Sequence, residues 1–552
     1  MKKSKKLITL LTALLLASCK NVNDDSTLTI YCWSISSINT AKKTNSPIYQ
    51  KIKENTNADI IAKTINSSAY EEAINKLFNT EELPDVFVTY GPERPNQYKK
   101  MIENGTLLAI SDYVSETKYK NLYNHLQNYK FLEDLYYVNH KQYSIPTNFS
   151  LEHSIYVRED WIENLNKKEK LTQILTDELG HTPSEDELST YKFKDPTTIL
   201  EFYRLARAFT FYDPDENGIN DTYGYTSTSD MWSDNFIYNA FAGGYQMMVK
   251  DNDKYNASII TNNTKKAVSF INKMHNEGIM HPDWQTDTFD DKQTKFCQGK
   301  VGIIECHNWF NNIIVGFRSA NPNISIEKAS KIIKMINPPT NENGIGGISS
   351  HPNFWTVTCI NAKMSKAKIE KALTLMDYLY SKEGQDLFVY GIEGVHYEMK
   401  DKERVSLMGK NNSGFNYTVA SYDAAYPFSN FCNWTADYFS PYATNASLIN
   451  KQMEEAKKYS VYEDHPFVQT PKYVSYFEGM NDYSEEKFNE FITGDKYYSD
   501  PLNKLTKVNY EDLYSFNDEF NSNWNAYVNK VLTDYKGQEV IDEYNQYLNG
   551  NK

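Results

Sequence analysis

The chain has 552 residues, 40% hydrophobic and 24% charged, a composition ordinary for a folded protein. That is long enough for more than one core, because single cores stop growing near ~250–300 residues. The formal net charge is −14 and no basic block occurs beyond the N-terminus, which excludes a nucleic-acid-binding surface, since the phosphate backbone repels such a protein. Tyrosine is abundant, with 43 residues. An apolar ring with a polar tip suits surfaces that bind sugars or proteins. A compositional bias of the genome is the other reading, because Arg94, Arg158, Arg204, Arg207, Arg318 and Arg404 are the only arginines beside many lysines.

The N-terminus reads as a processing signal. "MKKSKK" is a basic leader and Leu7 to Ala17 is an apolar run too short to span a bilayer in the mature protein. The segment "LASC", Leu16 to Cys19, resembles the bacterial lipobox, whose cysteine receives a diacylglycerol and becomes the first mature residue. An ordinary secretory signal ending near a cysteine is the alternative. Residues 1–18 are thus expected to be a lipoprotein signal peptide, Cys19 the lipidation site and residues 19–26 a tether. Loss of Lys2, Lys3, Lys5 and Lys6 takes the net charge from −14 to −18. The remaining cysteines, Cys32, Cys297, Cys306, Cys359 and Cys432, are scattered, odd in number and without a CxxC pair. They imply neither a zinc site nor a disulfide framework and read as small buried hydrophobes.

In chain order, Leu28–Trp33 reads as a buried strand, followed by a helix with Ser46 as N-cap and Pro47 at its first position. "ADIIA" is a second strand. A helix opened by a Ser68–Glu71 capping box carries Tyr70, Ile74, Leu77 and Phe78 on one face. Asp85–Tyr90 is a third strand. Strands alternating with helices predict a parallel sheet, in which ligands bind beyond the carboxyl ends of the strands, where Trp33 and Tyr90 sit. A second α/β region starts near "YSIPTNFSLEHSIYVREDWIENL", with Trp161 expected in its core. A helix is expected from Asp195, as N-cap, to Phe209. "KVGIIE" and "KIIKMINPP" read as strands. "SKAKIEKALTLMDYLYSKEGQ" reads as one amphipathic helix with Ile369, Leu373, Met376 and Tyr380 inward. The last hundred residues are helical and acidic, and there is no internal repeat.

"DPDENGINDTYG" carries the most specific spacing. Asp213, Asp215 and Asn217 occupy positions 1, 3 and 5 of an EF-hand-like loop, Gly218 position 6, the Ile219 carbonyl position 7 and Asp221 position 9. Gly224 stands where the bidentate glutamate of a full EF-hand belongs. The spacing favours calcium over a plain Asx/Gly turn. The ion would clip the loop and take no part in chemistry, and outside the cell even a weak site of ~10⁻⁴–10⁻³ M would fill.

The lipobox, "PDVFVTYG", "YSIPTN…YVREDWIENL", "DPDENGINDTYGYT", "GKVGI" and "YLYSKEGQDLFVYGIEGVHYE" occur in this order. Together they resemble the extracellular solute-binding lipoproteins of carbohydrate ABC importers, in the LplA-like branch related to alginate-oligosaccharide-binding proteins. The likeness runs from residue 16 to about 400. It implies an α/β, two-lobe periplasmic-binding-protein-like fold with a hinge, an interlobe ligand cleft and helical C-terminal additions. The N-lobe would comprise 27–148 plus 335–390 and the C-lobe 149–334 plus 391–552. It also implies an oligosaccharide ligand, ABC permease partners, a monomer, and attachment to the outer face of the cell membrane, as in Gram-positive bacteria, through the lipid alone.

Sugar rings stack their apolar C–H faces on flat aromatics, so Trp33, Tyr90, Trp232, Trp309 and Trp355 are the candidate platforms, with Glu393 and Tyr397 of "GIEGVHYE" as further contacts. Core packing, or a loop-fixing hydrogen bond for the last two, is the competing role of each. An extracellular glycan-active enzyme or a glycan-adhesion lipoprotein is the alternative function. No GxSxG, HExxH or P-loop occurs, so no enzyme is expected.

Overall fold

The computed structural model describes residues 25–34, 46–89, 95–130, 140–148, 153–230, 232–307, 310–349, 354–410, 417–423, 428, 430, 431, 433, 454–461, 463, 468, 470–495 and 508–550. The expected signal peptide and Cys19 lie outside them, as do Tyr90, Trp309, Cys432 and the side chain of Trp355.

The chain runs through β1 Thr27–Ser34, β2 Asp59–Asn66, β3 Val86–Thr89, β4 Ile145–Asn148, β5 His153–Arg158, β6 Tyr223–Tyr225, β7 Met248–Asp251 and β8 Lys254–Ala257. It continues through β9 Val301–His307, β10 Ile333–Ile336, β11 Ile348–Ser349, β12 Phe354–Ile360, β13 Tyr397–Lys400, β14 Glu403–Ser406 and β15 Ser460–Val461. Two sheets carry the fold, in the orders β2-β1-β3-β12-β4 and β10-β5-β9-β6.

The first sheet is parallel from β2 through β1 to β3. Leu28, Ile30 and Cys32 alternate along β1 and are fully buried, as the strand period of two requires. Ser46 caps the helix Pro47–Thr56 by accepting from the Tyr49 N–H, with Pro47 at the first position. The next helix, Ser67–Asn79, follows β2 without a loop and buries Tyr70 and Ile74. The side chains of Ser68 and Glu71, on which the expected capping box rests, are outside the described set.

In the second sheet, β5 turns Ile155 and Val157 to one core and Tyr156 to another on the opposite face. The sheet is thus covered on both sides, which is why β5 is buried at every position. Trp161 is fully buried, as expected. The helices Pro471–Thr493, Asp518–Thr533 and Gly537–Leu548 insert Phe477, Met480, Phe488, Phe491, Phe520, Trp524 and Tyr544 into the larger of these cores. These three helices complete the larger core.

Three expectations are corrected. The helix assigned to Asp195 begins at Ile199 with Thr198 as N-cap. Residues 197 and 198 are held out of the helix by backbone bonds with Thr340, from the Thr340 N–H to the Thr197 carbonyl (3.0 Å) and from the Ile199 N–H to the Thr340 carbonyl (2.8 Å). Asp195 pairs with Lys334 at 2.7 Å instead of capping. The single helix expected after Ser365 is two, Lys366–Leu379 and Lys382–Val389, the second capped by Ser381. Gly384 permits this break, because a Cβ there would stand 2.2 Å from the Tyr378 carbonyl oxygen.

The third correction concerns the lobe limits at 335 and 391. β10 pairs with β5, and Ile336 and Ile348 belong to the second core. Met408, Val419, Phe428 and Phe431 belong to the first. Packing therefore places β10 and β11 with the second core and Met408, Val419, Phe428 and Phe431 with the first.

Candidate functional site

Strand direction locates the crevice. In the first sheet β1, β2 and β3 end at Ser34, Asn66 and Thr89, and antiparallel β12 begins at that same edge while β4 ends there at Asn148. In the second sheet β6 and β9 are parallel, β5 is antiparallel to β9 and begins opposite His307, and β10 runs back alongside β5. The chain passes between cores from Asn148 to His153 and from Ser349 to Phe354. Both lobes thus turn the carboxyl ends of their parallel strands toward the crossings, the position where open α/β sheets bind ligands.

The rims are pinned. On the first lobe Thr147 donates to the Asn430 carbonyl (2.7 Å) and the Asn430 amide to the Trp33 carbonyl (3.3 Å). On the second, the Asn239 amide donates to the Gly347 carbonyl (3.2 Å) and to Ser349 Oγ (3.1 Å), while the Ser349 N–H donates to Asn235 Oδ1 (2.9 Å). These bonds fix the strand ends from which the crossings depart.

At the second lobe's edge lies a cluster of polar and aromatic groups. Trp232 is half-buried and stands edge-on to Tyr245 (5.5 Å, 79°) and to His153 (5.7 Å, 79°). Its indole N–H donates to His153 Nε2 at 3.4 Å. His153 Nδ1 bonds Glu305, and Glu305 pairs with Lys292 at 3.2 Å, both fully buried. Lys292 also donates to Ser233 Oγ. Burial pushes the Glu305 carboxyl up, but His153 and Lys292 outweigh it and hold the group below its ordinary range. Asp234 accepts from Ser227 (2.7 Å) and Tyr225 (3.0 Å), and burial pushes its pKa up to about 7. Exposed Asp230 accepts from the Trp232 N–H at 3.1 Å. A partly buried indole beside a carboxylate and a tyrosine can take the apolar face of a ring and its hydroxyls together.

The sequence-derived candidates separate here. Trp232 sits at the crevice edge. Trp33, at the end of β1, is 8% exposed and part of the first core, so it offers almost no ring face for stacking in this conformation. Trp355 lies in β12, one residue from its start. Glu393 is exposed, and Tyr397 lies with its ring 5.6 Å from the Arg404 guanidinium. In the same motif it is His396 that is buried, and a Cβ at Gly391 (φ 81°) would meet its ring at 2.5 Å. Sequence reasoning missed His153, Glu305 and Lys292. The available signal was Glu305 as the lone charge inside the apolar run "VGIIEC". A cavity of about 450 Å³ between Phe78, Leu83, Asn104 and Lys363 lies at the opposite, amino edge of the first sheet and has no part in the crevice.

The Asp213–Asp221 loop folds around its own carboxylates. The Asn217 amide donates to Asp215 and Asp221, each at 3.0 Å, and the Asn217 and Gly218 N–H groups donate to Asp213 (3.1 and 3.3 Å). Lys300 pairs with Asp221 at 2.9 Å and Lys170 approaches Asp213 at 3.7 Å. Burial first, and then the neighbouring carboxylates, push the Asp215 carboxyl up. Among the described residues no group of three or more His, Cys, Asp or Glu side chains is set to hold a metal. The twelfth position cannot supply a side chain, because a Cβ at Gly224 would stand 2.1 Å from the Ala206 carbonyl oxygen. In this arrangement the Asn217 amide and the Lys170 and Lys300 ammonium groups occupy the loop's carboxylates.

The family model of the bacterial extracellular solute-binding proteins matches residues 38–386. The polygalacturonan/rhamnogalacturonan-binding protein YtcQ of Bacillus subtilis (strain 168) is 24% identical over 355 residues, 63% of this chain and 63% of its own length. Lipoprotein LipO of the same strain is 24% identical over 399 residues, 70% of this chain and 71% of its own. The chain therefore spans less than two thirds of YtcQ. Among solved structures, the alginate-binding protein AlgQ2 without calcium ion superposes with a TM-score of 0.63 at 15% identity, covering 94% of this chain and 97% of its own. The Streptococcus pneumoniae (S.pneumoniae) ABC-transporter substrate-binding protein FusA in complex with kestose gives 0.62 at 16%, covering 95% and 100%. An EF-hand mutant of FusA with fructo-nystose gives 0.60 at 16% identity, with the same coverage. At such identities the likeness is one of fold.

Proposed function

The chain belongs to the bacterial extracellular solute-binding proteins, and from that premise we propose that it captures an oligosaccharide between its lobes and delivers it to an ABC permease. The observation that carries the ligand class is Trp232, half-buried at the carboxyl edge of the second sheet and flanked by Tyr245 and Asp230. The names of YtcQ and FusA support a glycan. Two lobes joined by crossings can close over such a ligand, exclude water and present a changed surface to the permease.

The protein acts as a monomer held by a lipid on Cys19 at the outer face of the membrane, and it releases its glycan unchanged. Among the described residues no helix is long and apolar enough to cross a membrane. Asp213, Asp215, Asn217, the Ile219 carbonyl and Asp221 would hold a structural calcium ion, which would tie the loop between the helix ending at Phe211 and β6.

Calorimetry against trigalacturonate, an alginate trisaccharide, kestose and maltotriose, on the chain truncated before Cys19, tests the reading. Saturable binding of one class with the glycan recovered intact is expected. Cleavage of the bound glycan, or affinity only for intact polymer with no oligosaccharide binding, would overturn it.

A further inference from the structure

Trp232 is held by a chain of side chains that reaches into the closed interior of the second lobe. An indole N–H can only donate, so the 3.4 Å contact from Trp232 Nε1 requires a lone pair on His153 Nε2. The ring proton then sits on Nδ1, where Glu305 accepts it. Glu305 in turn pairs with Lys292 in a fully buried site, and the imidazole links that pair to the indole. His153 is also fixed edge-on to Phe289 at 6.4 Å. His153 begins β5, directly after the crossing from the first lobe, and Glu305 sits opposite Ile155 on β9.

We propose that Glu305 and His153 are positioning residues of the crevice: Glu305 sets the His153 tautomer, and His153 sets the orientation of the Trp232 ring toward the ligand. This rests on the reading of Trp232 as a ligand contact. Lys292 keeps Glu305 ionised, so that it accepts and does not donate. The arrangement gives the ring a fixed pose before the ligand arrives, and a preordered ring loses less freedom on binding.

Two spectroscopic measurements test it. In the unsubstituted chain labelled with ¹⁵N-histidine, His153 is expected to carry its proton on Nδ1 and a bare Nε2; the opposite tautomer would overturn the proposal. In chain labelled with ¹⁵N-tryptophan, the Trp232 indole N–H, assigned with Trp232→Phe, should exchange with solvent about tenfold faster in His153→Phe, the weight of one lost hydrogen bond. His153→Gln, which restores an acceptor near the Nε2 position, should recover most of that protection. Unchanged exchange in a folded His153→Phe would reject the positioning role. Absence of binding by the four glycans named above would sink the oligosaccharide reading instead, and the tautomer and the exchange rates would still decide this one.

Discussion

His396 Nε2 donates to Asp423 Oδ2 at 3.1 Å, and the same carboxylate oxygen accepts the Ile48 N–H at 3.3 Å, so one buried contact ties the segment after residue 390 to the first helix of the first lobe. His396 Nδ1 accepts the Ile392 N–H at 2.9 Å, which leaves the proton on Nε2. Both ring nitrogens are spent on holding the chain. His396→Ala should therefore cost about 1–3 kcal/mol, the price of a buried carboxylate and N–H losing a partner. Gly391→Ala should also destabilise, through its positive φ and the His396 ring in the way. Denaturant melts check both, and glycan affinity at temperatures where the variants are folded should stay within about threefold.

Trp232→Ala should weaken glycan binding by about tenfold to a hundredfold, taking ~1–3 kcal/mol for one stacked ring. Its stability should fall by less than that of a fully buried tryptophan, because the ring is only partly buried against the second core. Trp33→Ala should behave in the opposite way, losing ~3–5 kcal/mol of stability as a truncated core residue. Affinity and melting temperature measured on each variant separate the roles; a stable Trp33→Ala with lost affinity would restore Trp33 to the binding surface.

Calcium should raise the melting temperature and a chelator lower it. A ligand at ~100 times its Kd adds about 2.7 kcal/mol. Asp215→Ala should abolish the response by removing the group at the centre of the Asn217 contacts. Equal melting of metal-free and calcium-saturated protein would mark the loop as a plain turn.

The Asp234 carboxyl, raised by burial to about 7, binds its proton more tightly in the folded chain than in the unfolded one, where carboxyls titrate near ~3.9. Between about pH 4 and 7 the folded state therefore holds more protons, and this group's contribution to stability is present at the acid end and lost as pH rises through 7. Glu485, raised by burial to about 7, acts in the same sense. The fall in melting temperature from pH 5 to pH 8 should be shallower in Asp234→Asn than in the unsubstituted chain. Parallel profiles would show that Asp234 is ionised throughout.

Cys19→Ala should lose its acyl label in a metabolic palmitate-labelling experiment and leave the membrane fraction or keep its signal segment. Unchanged labelling would place the lipid elsewhere.

Local pattern alone determined much of this protein. The alternating apolar residues of β1, the Ser46–Pro47 helix start and the buried Trp161 all follow from periods and caps that act over a few residues. The order of strands and helices was enough to expect two α/β regions and a ligand edge at the strand ends, while the two-lobe arrangement was what the resemblance to solute-binding lipoproteins implied. Tertiary structure decided what depends on groups brought from afar. His153 and Glu305 are 152 residues apart in sequence, and their contact exists because β5 and β9 pair antiparallel. Thr340 moves the N-cap from Asp195 to Thr198 by bonding the Thr197 carbonyl and the Ile199 N–H. Trp33 stands at the strand end that sheet logic indicates, yet the first core closes over its ring and Trp232 is left at the crevice. Position along a strand is a local property. Whether a ring there faces ligand or core is set by which distant side chains pack on it.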